Sequence, residues 1–190
     1  MRDVALIVGS LRNGSFTRIV ASTVAELAPS PLRFVPVEIG ALPLYNQDLE
    51  TDSAPPPWVD FRNRVRDCEA VLFATPEYNR SIPGALKNAI DVGSRPYGKS
   101  VWSGKPAAII SVSPGAVGAF GANHHLRQCL VFLDMPCMQQ PEAYLGNITE
   151  SIDADKGRVK AGRTRDYLQT FAAAFARWVD QVAPAHASAA

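Results

Sequence analysis

A chain of 190 residues is long enough for one large core and short for two, and a hydrophobic share of 47% excludes wholesale disorder. Its 19 Lys and Arg against 18 Asp and Glu leave a formal charge of +1. That balance gives no electrostatic case for nucleic acid or an anionic membrane as partner, nor for an acidic electron carrier steered by its own field.

Val4 to Val8 is a continuous apolar run, as expected of a strand covered on both faces. A Gly/Ser loop follows. Ile19, Val20, Val24 and Leu27 then share one side of a helix that Pro29 and Pro31 end. Leu32 to Val37 reads as a second strand, and Pro36 inside it points to a sheet edge. Residues 40–57 form a loop closing in three prolines. Trp58, Phe61, Val65 and Cys68 recur at helical spacing. Ala70 to Ala74 is a third buried strand. Pro83 opens a helix as a first-turn proline, with Leu86, Ala89 and Ile90 inward. Ala107 to Val112 is the fourth strand, and Leu126, Leu130 and Leu133 mark a fourth helix. A short strand is expected at Cys137-Met138. Leu168, Phe171, Phe175, Trp178 and Val182 form the stripe of a last helix, and 184–190 is expected to be a frayed tail.

Strand–helix alternation of this kind predicts a parallel sheet with helices on both faces, wound by right-handed crossovers. Ligands of such sheets bind beyond the C-terminal strand ends. Three loops there are unusual. In Gly9-Ser10-Leu11-Arg12-Asn13-Gly14-Ser15-Phe16-Thr17, hydroxyls and free N–H groups at a helix start suit a phosphate, and Arg12 adds a forked cation. An ordinary helix start capped by Ser15 is the bland alternative. Between Thr75 and Gly84, Pro76 and Pro83 stiffen a loop in which Tyr78 can lie against a ring and Asn79 can bond its edge. In Ser111 to Gly118, Pro114 carries no N–H, so donors must come from Gly115 onward or from the Ser113 hydroxyl.

The stretches GSLRNGSFTR at 9–18, LPLYNQDL at 42–49, TPEYNRSIPGALKNAID at 75–91 and GKPAAIISVSPGAVGA at 104–119 resemble the NADPH-dependent FMN reductase family, especially its quinone- and chromate-reducing branch. The resemblance implies a flavodoxin-like three-layer sandwich with a five-stranded parallel sheet in the order 2-1-3-4-5, formed by residues 1–183. It implies FMN, bound non-covalently, with NADPH or NADH as donor. Ser10, Arg12, Ser15, Phe16 and Thr17 would hold the phosphate, although Thr17 stands where asparagine is commoner. Pro76, Glu77, Tyr78 and Asn79 would line the isoalloxazine, and Ser113 and Gly115 its pyrimidine edge. Arg80 is a candidate for the phosphate of the nicotinamide cofactor; Tyr45 and Asn46 are further substrate-binding candidates. The resemblance also implies a homodimer or dimer of dimers, in which the 42–49 loop and the 94–103 segment complete a neighbour's site. No side-chain acid or base is expected to be catalytic, because the chemistry belongs to the flavin. Donor and acceptor are expected to alternate in a ping-pong scheme, with quinones, chromate, ferric complexes or free flavin as acceptors. The competing expectation is a flavodoxin-type electron carrier that never meets NAD(P)H.

Gly93 to Ser100 formally matches G-x-x-x-x-G-K-[ST], but follows a helix and leads into a strand, the reverse of a phosphate-binding P-loop. His124, His125 and the acidic Glu150, Asp153 and Asp155 show no metal-ligand spacing. Cys68, Cys129 and Cys137 show no CxxC pattern and read as free thiols of a cytoplasmic protein.

Overall fold

The computed structural model describes residues 1–183, and the expected frayed tail lies outside the described residues. The chain runs β1 (Arg2–Val8), α1 (Phe16–Leu27), β2 (Leu32–Pro36), α2 (Pro56–Arg66), β3 (Ala70–Thr75), α3 (Gly84–Gly93), β4 (Ala107–Val112), α4 (Phe120–Phe132), β5 (Ala143–Leu145), the short β6 (Ile152–Asp153) and β7 (Arg158–Val159), and α5 (Arg163–Val182). The main sheet has the expected order β2-β1-β3-β4-β5, with every pairing parallel. Pro36 sits on the edge strand opposite Leu6, where its missing N–H removes no ladder bond from the centre.

The continuous apolar runs exist because each strand buries both faces. Val4, Leu6, Val8, Leu72 and Ala74 face the side covered by α1 and α5. Ala5, Ile7, Val71 and Phe73 face the side covered by α2, α3 and α4. A register slip of one residue would exchange these two sets, so the register is strongly fixed. Phe171 and Phe175 of α5 and Trp58 and Trp102 on the opposite side are fully buried, each contributing roughly 1.5–3 kcal/mol or more.

Four details depart from expectation. The expected strand at Cys137-Met138 is a single bridge between Cys137 and Ala107; the chain then leaves the sheet and returns as β5 at Ala143–Leu145. Pro136 and Pro141 flank that excursion, and neither can donate to a ladder. Residues β6 and β7 form an antiparallel pair that no apolar alternation announces. Pro83 caps α3 rather than opening it, a shift of one residue. On α5, Val179 takes the fully buried position, while Trp178 and Val182 are half-buried. Trp178 instead donates its indole N–H to Pro136 O at 3.1 Å.

The P-loop-like segment behaves as its context predicts. Gly93 ends α3, and a Cβ there would lie 2.5 Å from the Trp102 indole, so close packing explains that glycine. Among the described residues, no helix is long and apolar enough to cross a membrane.

Candidate functional site

The three loops meet. A cleft of about 230 Å³ at the C-terminal rim of the sheet is lined by Ser10, Arg12, Ser15, Phe16, Thr17, Pro76, Glu77, Tyr78, Val112, Ser113 and Pro114. Nine of these eleven are residues the sequence points to; Val112 and Pro114 are additions, recognisable from the chain only as neighbours of Ser113.

The β1–α1 loop is built to be entered by an anion. Gly9 N–H continues the ladder to Ala74 O at 2.8 Å, which aims the following residues across the end of β3. Ser15 caps α1, its Oγ accepting from Arg18 N–H at 3.2 Å. The capping role and a ligand role are compatible, because a hydroxyl oxygen that accepts one bond still carries a proton to donate. The N–H groups of Ser10, Leu11, Arg12, Phe16 and Thr17 meet no acceptor among the described residues. The hydroxyls of Ser10 and Thr17 also make no bond to protein, although these residues are only 5% and 3% exposed. Arg12 lies 5.6 Å from the centroid of the Phe16 ring, with no carboxylate partner in the described structure. Hydroxyls of largely buried residues whose oxygens stay accessible, open N–H groups at the start of a 12-residue helix and a guanidinium with no carboxylate partner among the described residues form a donor set without a compensating acceptor. That set fits a phosphate monoester.

The β3–α3 loop supplies a wall. Tyr78 N–H donates to Ser81 O at 2.9 Å, and Ser81 N–H to Tyr78 O at 3.0 Å. Asn79 and Arg80 between them lie at φ 52° and 66°, both left-handed. Asn79 and Arg80 therefore form the tip of a tight turn and do not line the cleft. Arg80 instead pairs with Glu77 at 3.3 Å, its side chain 83% exposed. Glu77 borders the cleft, but its Oε2 accepts from Ala122 N–H of α4 at 3.0 Å.

The β4–α4 loop is the opposite wall, and the polar groups of Ser113 and Gly115 are engaged internally. Gly115 N–H donates to Ser113 Oγ at 3.0 Å, while Gly115 O accepts from Asn147 N–H at 3.2 Å and Gly118 N–H at 3.3 Å. Gly115 is thus adjacent to the cleft without lining it, and its N–H is already committed.

Tyr45 and Asn46 lie elsewhere. Tyr45 packs on Trp58 with ring centroids 5.3 Å apart, and its N–H donates to Asn88 Oδ1 at 2.8 Å. It lines a separate depression of about 380 Å³ with Gln47, Glu50, Arg95, Pro96 and Tyr97, which joins the 42–49 loop to the 94–103 segment. Asn46 caps a short helical turn by accepting from Asp48 N–H at 3.0 Å. A larger cleft, about 530 Å³, lies beside β5 and includes Glu142, Tyr144, Glu150, Arg163 and Tyr167. Its two carboxylates make it a poor phosphate site. There, burial and then the Glu142 carboxylate push Tyr144 up to about 12.

Among the described residues nothing competes with a cofactor for the chemistry. No group of three metal-binding side chains occurs. Burial pushes Cys68, Cys129 and Cys137 above the ordinary thiol value, so none is an activated thiolate. His124 Nε2 bonds the Tyr144 hydroxyl at 2.9 Å, and His125 Nδ1 bonds Ser81 Oγ at 2.6 Å, so both histidines tie α4 to its neighbours.

A parallel sheet in this order with an open donor set at its C-terminal rim is the architecture of a mononucleotide-binding α/β protein. The chain belongs to the NADPH-dependent FMN reductase family, whose profile matches residues 2–150. It is 61% identical over 177 residues to a quinone reductase of Pseudomonas putida, covering 93% of this chain and 94% of that one. It is 48% identical over 176 residues to a 2-hydroxy-1,4-benzoquinone reductase of a Burkholderia species, covering 93% and 95%. Its fold superposes on the flavoenzyme NAD(P)H:(acceptor) oxidoreductase FerB of Paracoccus denitrificans with TM-score 0.90 and 42% identity, covering 97% and 100%. The protein is accordingly an NAD(P)H-dependent flavoprotein oxidoreductase that uses FMN.

Proposed function

We propose that the protein reduces quinones at the expense of NAD(P)H, with FMN held in the rim cleft. The observation that carries this reading is the donor set from Ser10 to Thr17, left without protein partners beside a cleft that Pro76, Tyr78 and Pro114 also line. The names of relatives sharing 61% and 48% of their residues, both quinone reductases, support the acceptor class.

In this reading Ser10, Arg12, Ser15, Phe16 and Thr17 bind the phosphate. Pro76, Glu77 and Tyr78, with Asn79 at the turn, border the isoalloxazine, and Ser113 and Gly115 face its pyrimidine edge. When bound, FMN supplies the two-electron chemistry between nicotinamide and acceptor. The chain positions reactants and keeps one face open: Tyr78, on the rim, is 48% exposed. Arg80, paired with Glu77 but 83% exposed, meets the phosphate of an incoming nicotinamide cofactor, and Tyr45 and Asn46 contact substrate in a neighbouring subunit's site. Residues 1–183 act as one FMN-binding unit in a cytoplasmic homodimer or dimer of dimers. Chromate, ferric complexes and free flavin are secondary acceptors at the same open face.

Because the described residues form no separate dinucleotide domain, NAD(P)H and quinone take turns. Initial-rate measurements with a benzoquinone and both nicotinamides should give parallel double-reciprocal lines; intersecting lines contradict the scheme. A panel of quinone, chromate, ferric citrate and free FMN should rank the quinone first in kcat/KM. The electron-carrier alternative is opposed by the reductase relatives, and anaerobic NADPH should bleach the yellow protein within the mixing time of a spectrophotometer.

A further inference from the structure

We infer that Glu77 is a positioning residue: it caps α4 from 45 positions upstream, and this cap locks the turn that presents Tyr78 to the cleft. The inference rests on the proposed placement of FMN against that turn.

Helix α4 starts without a cap of its own. The residue before it is Ala119, at φ 58°, with no side-chain oxygen to satisfy the first-turn N–H groups. Glu77 Oε2 fills that gap at Ala122 N–H, 3.0 Å away, and its negative charge suits the positive end of the helix. The carboxylate is held on its other oxygen as well, by Arg80 at 3.3 Å, and its side chain is only 14% exposed. Local sequence offers no capping box here; the cap is tertiary.

The turn needs such support. Two consecutive non-glycine residues, Asn79 and Arg80, occupy left-handed backbone at φ 52° and 66°, which costs about 1 kcal/mol or more for a residue such as arginine. A pair of mutual hydrogen bonds between Tyr78 and Ser81 closes the turn, and Ser81 Oγ is bonded to His125 Nδ1 at 2.6 Å. Ala122 and His125 lie three residues apart on α4, so both tethers land on one helix face. Gly121 completes the fit. A Cβ there would stand 3.0 Å from Glu77 Oε2 and 3.1 Å from Arg80 O, so glycine is what lets the turn approach the helix. Pro76, Glu77 and Tyr78 thus reach the cleft as part of a clip fastened to α4.

A carboxylate at this position could instead act through its charge on the bound cofactor, and the two roles separate experimentally. In Glu77→Gln the amide oxygen still accepts from Ala122 N–H while the charge is gone; Glu77→Ala removes both. Hydrogen exchange at the Ala122 amide of the full chain, with and without FMN, reads the cap. FMN affinity by fluorescence titration and the visible circular dichroism of the bound flavin read its consequence. Glu77→Ala should speed exchange at Ala122 about tenfold and weaken FMN about fivefold, with an altered dichroic band. Glu77→Gln should stay within about twofold of the parent on each readout. Gly121→Ala, which disturbs the same contact from the helix side, should move exchange and affinity in the direction of Glu77→Ala. Unchanged exchange at Ala122 in Glu77→Ala overturns the inference, as does equal loss of FMN affinity in the Ala and Gln variants. If exchange responds as expected while every variant binds FMN like the parent, the placement of FMN against this turn fails, and the link from cap to cleft fails with it.

Discussion

The loops after β1 and β4 stand at the same rim and contribute to the same cleft, yet they treat their polar groups in opposite ways. From Ser10 to Thr17, N–H groups and the accessible hydroxyls of Ser10 and Thr17 are left without protein acceptors. Between Ser113 and Gly118, Ser113 and Gly115 are bonded within the loop or to the segment at and after β5: Ser113 N–H to Leu145 O at 2.9 Å, Ile148 N–H to Ser113 O at 3.3 Å, and Gly115 N–H to Ser113 Oγ at 3.0 Å, while the Ala116 and Val117 N–H groups stay open among the described residues. In the proposed reading the first loop is a receptor whose hydrogen bonds a ligand completes, and the second is a wall braced through Ser113 and Gly115. Similar small-residue composition conceals the difference, because it lies in where the partners are.

The largest test strikes the wall. Gly146 approaches the loop so closely that a Cβ would stand 2.2 Å from Ala116 O and 3.0 Å from Gly115 O. Gly146→Ala should cost roughly 3 kcal/mol and lower Tm by about 9 °C in a thermal scan of the FMN-free protein. An unchanged Tm would show that the wall gives way easily.

Next comes the receptor. Arg12→Ala should weaken FMN about 30-fold in a fluorescence titration, while the Tm of the FMN-free protein stays within about 2 °C. A large Tm loss with unchanged affinity would make Arg12 a structural residue and break the contrast. A matched pair then sharpens it. Ser10→Ala removes an unpartnered hydroxyl and should weaken FMN about fivefold; Ser113→Ala removes one that serves Gly115 and should change affinity less than about threefold.

The smallest effect concerns the edge of the receptor helix. Arg18, three residues past the Ser15 cap, bonds Glu38 at 2.9 and 3.1 Å, and this holds the Glu38 carboxyl below its ordinary value. A lowered carboxylate pKa stabilises the fold above the ordinary Glu range, and that stabilisation is lost as pH falls through the lowered value. Both side chains are largely exposed, so salt screens the pair. Glu38→Gln should therefore lower Tm slightly at pH 7 in dilute buffer, and the difference should shrink as pH falls below the ordinary Glu range.

How much was legible in the chain follows from the range of the interactions involved. Strands β1, β3 and β4 are buried on both faces, so unbroken apolar runs announce them. The edge of the sheet is different: β5 has three residues, too few for periodicity, and the nearby Cys137-Met138 signal belongs to a one-residue bridge. The receptor loop was readable because its chemistry is local, a helix start rich in hydroxyls. The β3–α3 and β4–α4 loops were located correctly, but the commitments of their side chains were not readable. Glu77 serves Ala122, 45 residues away, and Gly115 spends its N–H on the Ser113 side chain. That Asn79 and Arg80 would occupy left-handed backbone at the tip of the turn carrying Tyr78 was equally unreadable. Tyr45 and Asn46 face a depression shared with Arg95 and Tyr97 or serve local capping, a distinction that depends on how far the 42–49 loop runs along α3.

On the proposed reading, the phosphate of FMN is what the open donors of residues 10–17 select. Equilibrium titration of the FMN-free protein with FMN and with riboflavin, at one fixed low ionic strength, isolates it. The open donors of residues 10–17 predict that FMN binds at least about a hundredfold more tightly than riboflavin, and that this ratio shrinks as salt is raised. Equal affinity for the two flavins would contradict the account.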